Sequence, residues 1–197
     1  MPSSIVPSLD NPNASFPEKL KGKWTLVLLE EGTCCYRAGE SFAKDAFEDY
    51  PDILEVPSFN EAANLAQTSN HILLIPHIHR IIGEIEADVR WESMGNFIFR
   101  LNNPPLHLAS NPTSNSDTTD SCACIEPLKS LIKMEKDGIK NWITTETTQQ
   151  AARVCASGEA EYCVTNEYGL KKYGLKSVRE LKKMEICWHP YQAIKYN

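Results

Sequence analysis

Basic runs, long apolar runs and paired cysteine motifs are all missing from this chain of 197 residues, and each absence removes a class of function. With 20 Lys and Arg against 26 Asp and Glu, a net charge of −6 and no Arg-rich segment, it lacks the electrostatic footprint of a nucleic-acid binder. No segment approaches the roughly 20 apolar residues that cross a bilayer. The opening MPSSIVPSLDNPNASFPEKLKGKW has neither the basic start nor the apolar run of a secretory signal, so a cytoplasmic protein with no membrane partner is expected. The seven cysteines are odd in number and fall in no zinc-type pair of pairs, which makes them free thiols. His71, His77 and His79 share one short apolar stretch without gathering at ligand spacing, so no metal is expected either.

What is present is an alternation of strand and helix patterns. Residues 1–22, rich in Pro, Ser and Asn and without a period, read as a flexible arm. Trp24 to Leu29 reads as a strand ending in the turn Glu30-Glu31-Gly32-Thr33, and residues 37–50 then carry helical spacing through Ala38, Phe42, Ala46 and Phe47. A second strand at Ile53 to Val56 is followed by Ser58 and Glu61, a capping-box pair that opens a helix over 59–68. His71 to Pro76 is continuously apolar, as in a strand buried on both faces.

Further strands fall at Asn96 to Arg100, Leu106 to Ala109, 140–144 and Glu161 to Val164, with helices expected over 125–136, 148–157 and 167–173. Ser177 with Glu180 predicts a last small helix. Strands alternating with helices imply an α/β fold with a mainly parallel sheet.

An EGT turn, a strand ending Ile75-Pro76-His77, and the run ITTETTQQAARVCASGEAEYCVTNEYGLKKYGL together resemble the catalytic domain of prephenate dehydratases. Phe99-Arg100 with Pro105 and Leu108-Ala109, then Thr165-Asn166-Glu167 with Lys172-Tyr173-Gly174-Leu175 and Trp188, are similar to the non-aromatising prephenate decarboxylases of the bacilysin and aeruginosin pathways. The likeness covers residues 24–190 and implies a two-lobed type II periplasmic-binding-protein-like fold with a central cleft. It puts residues 23–93 and 166–197 in one lobe and 94–165 in the other. Two departures matter. The dehydratases have Ser where this chain has Cys35, and their Thr-Arg-Phe step near the domain end has no counterpart in MEICWHPYQAIKYN.

The family's Thr helps the ring hydroxyl of prephenate to leave. A cleft without it is poorly equipped to protonate that leaving group. The resemblance therefore implies a cofactor-independent carboxy-lyase that releases carbon dioxide, protonates a ring carbon and keeps the hydroxyl, in the biosynthesis of a specialised metabolite such as a non-ribosomal peptide. A divergent dehydratase giving phenylpyruvate and a non-catalytic anion sensor are the alternatives; no regulatory domain is expected beyond residue 197, and a homodimer is left open.

Prephenate needs anion binders and one placed proton donor. Helix starts supply the former, which singles out Thr33, Cys34 and Cys35 in one lobe and Thr147 and Thr148 in the other, facing each other across the expected cleft. Arg100 at a strand end could hold a carboxylate bidentately, against a competing reading as a salt-bridge partner. His77, directly after a buried strand, is the candidate proton donor. Asn166 either lines the site or caps the helix that follows it.

Overall fold

The computed structural model describes residues 6–11, 14–16, 18–65, 70–112, 120–132 and 139–194. The chain begins with strand β1 (Thr25–Leu29), helix α1 (Cys34–Ala46), β2 (Asp52–Val56), α2 (Phe59–Asn64) and β3 (His71–Pro76). It continues through α3 (Ile82–Ala87), β4 (Trp91–Ser93), β5 (Phe99–Asn102), β6 (Leu106–Ser110), β7 (Ser121–Cys124) and β8 (Asn141–Thr144). It ends with α4 (Thr148–Ala156), β9 (Tyr162–Asn166), α5 (Glu167–Tyr173), β10 (Lys176–Glu180) and β11 (Glu185–Ala193).

Two compact units result, one of residues 1–102 with 185–197 and one of residues 103–184. In the first, the sheet order is β2-β1-β3-β11-β4, with β5 also paired to β11. β2, β1 and β3 are parallel, and β11 is antiparallel to β3, β4 and β5. β1 and β3 are almost wholly buried, as their unbroken apolar runs predict. α1 buries Cys35, Ala38, Gly39, Phe42, Ala43 and Ala46, one stripe of a helix with period 3.6. Gly39 lets that stripe come close to β1: a Cβ there would fall 2.3 Å from Leu28 Cδ1.

The second unit has the order β10-β6-β9-β7-β8, with β7 parallel to β8 and β9, and β6 antiparallel to β9 and β10. α4 packs on this sheet through Ala151, Ala152 and Cys155. α5 ends at Gly174, whose φ of 65° makes the left-handed C-cap that glycine adopts without strain. Among the described residues no helix is long and apolar enough to cross a membrane.

Several expectations are corrected. The N-terminal segment is tied to the first unit: Leu9 N–H donates to Arg100 O, Arg100 N–H to Pro7 O, and Phe16 is 7% exposed. The unit boundaries lie at 102/103 and 184/185 rather than at 93/94 and 165/166, because β5 pairs with β11 while β9 and β10 pair with β6. The first helix stops at Ala46, since Phe47 turns extended and bridges to Leu20.

The helix expected over 125–136 is a 3₁₀ segment at Glu126–Leu131, and Ile132 is already extended. Its remaining positions, 133–136, lie outside the described residues, as do 66–68 of the second helix. The segment around Ser177 and Glu180 is strand β10, because its backbone serves as the antiparallel partner of β6. α3, β4 and β11 were not anticipated at all.

Candidate functional site

In the first unit the parallel strands β1 and β3 end at the same sheet edge, since Thr25 is level with His71. The turn after β1 leads to Thr33, whose hydroxyl donates to Glu30 O at 2.8 Å and accepts the Tyr36 N–H at 3.1 Å. That is an N-cap with both roles of the hydroxyl engaged. Cys34 is partly buried and Cys35 fully, and burial pushes their thiols up to about 11 and about 12 respectively. Cys35 Sγ donates to Leu74 O at 3.7 Å, so it faces the core beneath β3.

His77 leaves the end of β3 with an exposed side chain. Its N–H donates to Cys187 O at 2.9 Å, and its Nδ1 lies 3.2 Å from Cys187 N. Directly opposite Cys187 in the neighbouring ladder is Arg100. The Arg100 side chain is 52% exposed and its Nη1 is 3.7 Å from the Glu185 carboxylate. Cys187 thus brings His77 and Arg100, the two residues expected to do chemistry, to one place.

Cys187 and His189 are functional candidates that sequence reasoning missed. Alternation along β11 sends Cys187, His189 and Tyr191 to one face. Cys187 Sγ is 3.7 Å from His189 Nε2, and the Tyr191 hydroxyl donates to Glu86 of α3 at 3.0 Å. Burial pushes the Cys187 thiol up, although the Arg100 guanidinium opposes it. Burial and then the neighbouring His77 charge hold His189 below its ordinary value of 6.5, partly offset by Glu86. The period-2 pattern of Ile186, Trp188 and their alternates could have revealed the strand, but Pro190 in its middle argues against one.

The His189 shift has a measurable consequence. The unfolded chain binds the proton more readily, so stability is full above about pH 6.5 and falls as pH drops through that value toward the lowered folded one. The urea midpoint should therefore decline between about pH 7 and pH 5, and His189→Gln should flatten that decline. An unchanged slope in the variant would mean that His189 does not feel the burial described.

In the second unit, Thr147 is the N-cap of α4, accepting the Gln150 N–H at 2.9 Å, while Gln150 Oε1 accepts the Glu146 N–H at 2.9 Å. Thr147 and Thr148 are both buried. Asn166 caps α5, its Oδ1 accepting from the Gly169 N–H at 3.1 Å and from Gln149 Nε2 at 3.2 Å. Gln149, fully buried, was also unforeseen. It ties the start of α4 to the start of α5, a tertiary link with no sequence signature.

Neither the comparison with protein-family models nor that with curated proteins gives a match. Solved structures do. A prephenate dehydratase from Staphylococcus aureus matches with a TM-score of 0.55 and 16% identity, over 88% of this chain and 67% of that one. The prephenate dehydratase of Arthrobacter aurescens, in complex with L-Phe, gives 0.61 and 10% identity over 89% and 61%. A methionine-binding lipoprotein described as putative, from Bacillus subtilis, gives 0.52 and 10% identity over 84% and 82%.

The chain has a type II periplasmic-binding-protein-like fold. It spans 61% to 67% of the two dehydratase chains. At these identities the likeness fixes architecture, and the chemistry has to be argued from the residues themselves.

Proposed function

We propose that this protein is a cofactor-independent prephenate decarboxylase acting in the cytoplasm, in the biosynthesis of a specialised metabolite of the aeruginosin type. The observation that carries the reading is the meeting of His77 and Arg100 at Cys187, on a fold shared with prephenate dehydratases. Arg100 holds a carboxylate of the substrate, and His77 supplies a proton. The bond to the ring carboxylate breaks, its electron pair moves into the diene, and a ring carbon next to the carbinol takes the proton. The hydroxyl stays, because the chain has no counterpart of the Thr-Arg-Phe step that assists its departure. Within the first unit, anion binding by Thr33, Cys34 and Cys35, and within the second, anion binding by Thr147, Thr148 and Asn166, falls to backbone N–H groups at the helix starts, since the hydroxyls of Thr33 and Thr147 and the Asn166 amide oxygen already serve as caps.

Incubation with prephenate near pH 8, followed by ultraviolet absorbance and proton NMR, tests this. Loss of substrate with carbinol and diene signals retained is the expected result. Phenylpyruvate would identify a dehydratase instead.

A second reading is favoured by the fold shared with a methionine-binding lipoprotein: a protein that binds a small anion without changing it. Prephenate would then raise the melting temperature and remain intact, because a ligand bound only to the native state stabilises it by mass action.

A further inference from the structure

The end of the β3–β11 ladder is closed by a side chain. The main-chain N–H and C=O of Arg100 are taken by Pro7 and Leu9, on the side of β5 away from β11. Arg100 and Cys187 therefore face each other as a pair without mutual hydrogen bonds, and the main-chain groups of Cys187 point to β3. There the Cys187 carbonyl accepts the His77 N–H at 2.9 Å. The return bond goes to the imidazole: Cys187 N–H donates to His77 Nδ1 at 3.2 Å.

The same Nδ1 also lies 3.3 Å from Cys187 O. A neutral ring that accepts at Nδ1 carries its proton on Nε2. A ring protonated on both nitrogens turns Nδ1–H to the Cys187 carbonyl instead. One residue thus offers both a donor and an acceptor to Nδ1, and the exposed ring keeps its place in either state.

We propose that Nε2 of His77 is the atom that exchanges the catalytic proton, and that Cys187 is the positioning residue that holds it there through the whole cycle. The inference rests on the prephenate reading for its chemistry, while the tautomer rests on the Cys187 N–H that donates to Nδ1. In the step itself the imidazolium Nε2–H bond breaks as the ring C–H bond forms, with carbon dioxide leaving from the same substrate. His77 is left neutral, with Nδ1–H on the Cys187 carbonyl, and water restores the Nε2 proton. The charged and titratable groups around this point are Arg100 and Glu185 beside Cys187, His189 on the next outward position of β11, and Glu86 of α3.

The test compares two substitutions with a tautomer measurement on the whole chain. Asparagine places an amide oxygen where Nδ1 sits and nothing at Nε2, whereas glutamine reaches toward Nε2 and abandons Nδ1. His77→Asn should melt with the wild type, and His77→Gln about 2–4 °C lower, the effect of losing roughly one hydrogen bond in a protein of this size. Both should lose prephenate turnover by about 100-fold or more. In ¹⁵N-labelled protein with neutral imidazoles, the ring signals absent from His77→Asn should report the Nε2–H tautomer. An Nδ1–H tautomer would overturn the bond from Cys187 N–H to Nδ1, and equal melting of the two variants would overturn the anchoring. Normal turnover by His77→Asn would overturn delivery from Nε2. Should the wild type leave prephenate untouched, the prephenate reading falls and delivery with it, while melting and tautomer still decide the anchor.

Discussion

Replacing Phe16 with alanine should destabilise the protein by about 3 kcal/mol, although the residue lies in a segment that reads as a loose arm. The ring is 7% exposed and meets three others: Phe42 edge-on at 5.5 Å, Phe99 edge-on at 6.1 Å and Phe97 tilted at 5.3 Å. Phe42 in turn stacks on Phe99 at 5.4 Å and meets Phe47 edge-on at 5.5 Å, so the deleted ring would leave a gap against a rigid aromatic cluster. The flanking chain cannot swing in to fill it. Leu9 is bonded to Arg100, Asn102 N–H donates to the Asp10 carboxylate, and Leu20 is bridged to Phe47. Urea unfolding of Phe16→Ala checks the expectation; a loss below about 1 kcal/mol would mean that the arm lies on the surface and contributes little.

Phe16 also shows where sequence reading stops. The buried strands and most helices were legible because their information is local: apolar runs for β1 and β3, helical spacing for α1, a hydroxyl or amide just before each of α2, α4 and α5, and glycine after α5. Phe16 stands alone among Pro, Ser and Asn, and only contacts with residues far along the chain give it a place. β10 misled for a similar reason. Ser177 and Glu180 have capping-box spacing, but Leu181-Lys182-Lys183 offers no apolar stripe for a helix to bury, and pairing with β6 won. Of the candidate site, His77 could be picked out by position at a strand end; Arg100 was expected at one too, but β5 runs Phe99–Asn102 and places it within the strand. Cys187 could not, because what it contributes to them is main-chain N–H, C=O and register, which no residue type announces.

Arg100→Gln should separate affinity from stability. The ion pair with Glu185 has little to lose: both side chains are about half exposed, 52% and 42%, and the 3.7 Å separation is long for a charge-assisted bond. Exposed pairs of this kind contribute about 0–1 kcal/mol. The backbone of Arg100 is held by Pro7 and Leu9, and its neighbours Phe99 and Leu101 pair with β11, so the strand survives the change of side chain. A hydrogen-bonded guanidinium–carboxylate contact with a ligand is a different matter, at about 1.5–3 kcal/mol, or roughly 10- to 150-fold in affinity. The variant should therefore melt within about 2 °C of the wild type while the prephenate KM rises by about that factor. Arg100→Lys should recover only part of the loss, since an ammonium keeps the charge without the planar fork. Glu185→Gln, by removing the competing carboxylate, should lower KM. The opposite pattern, with KM unmoved and the melting temperature reduced, would assign Arg100 to the fold and leave the carboxylate to be held by other groups.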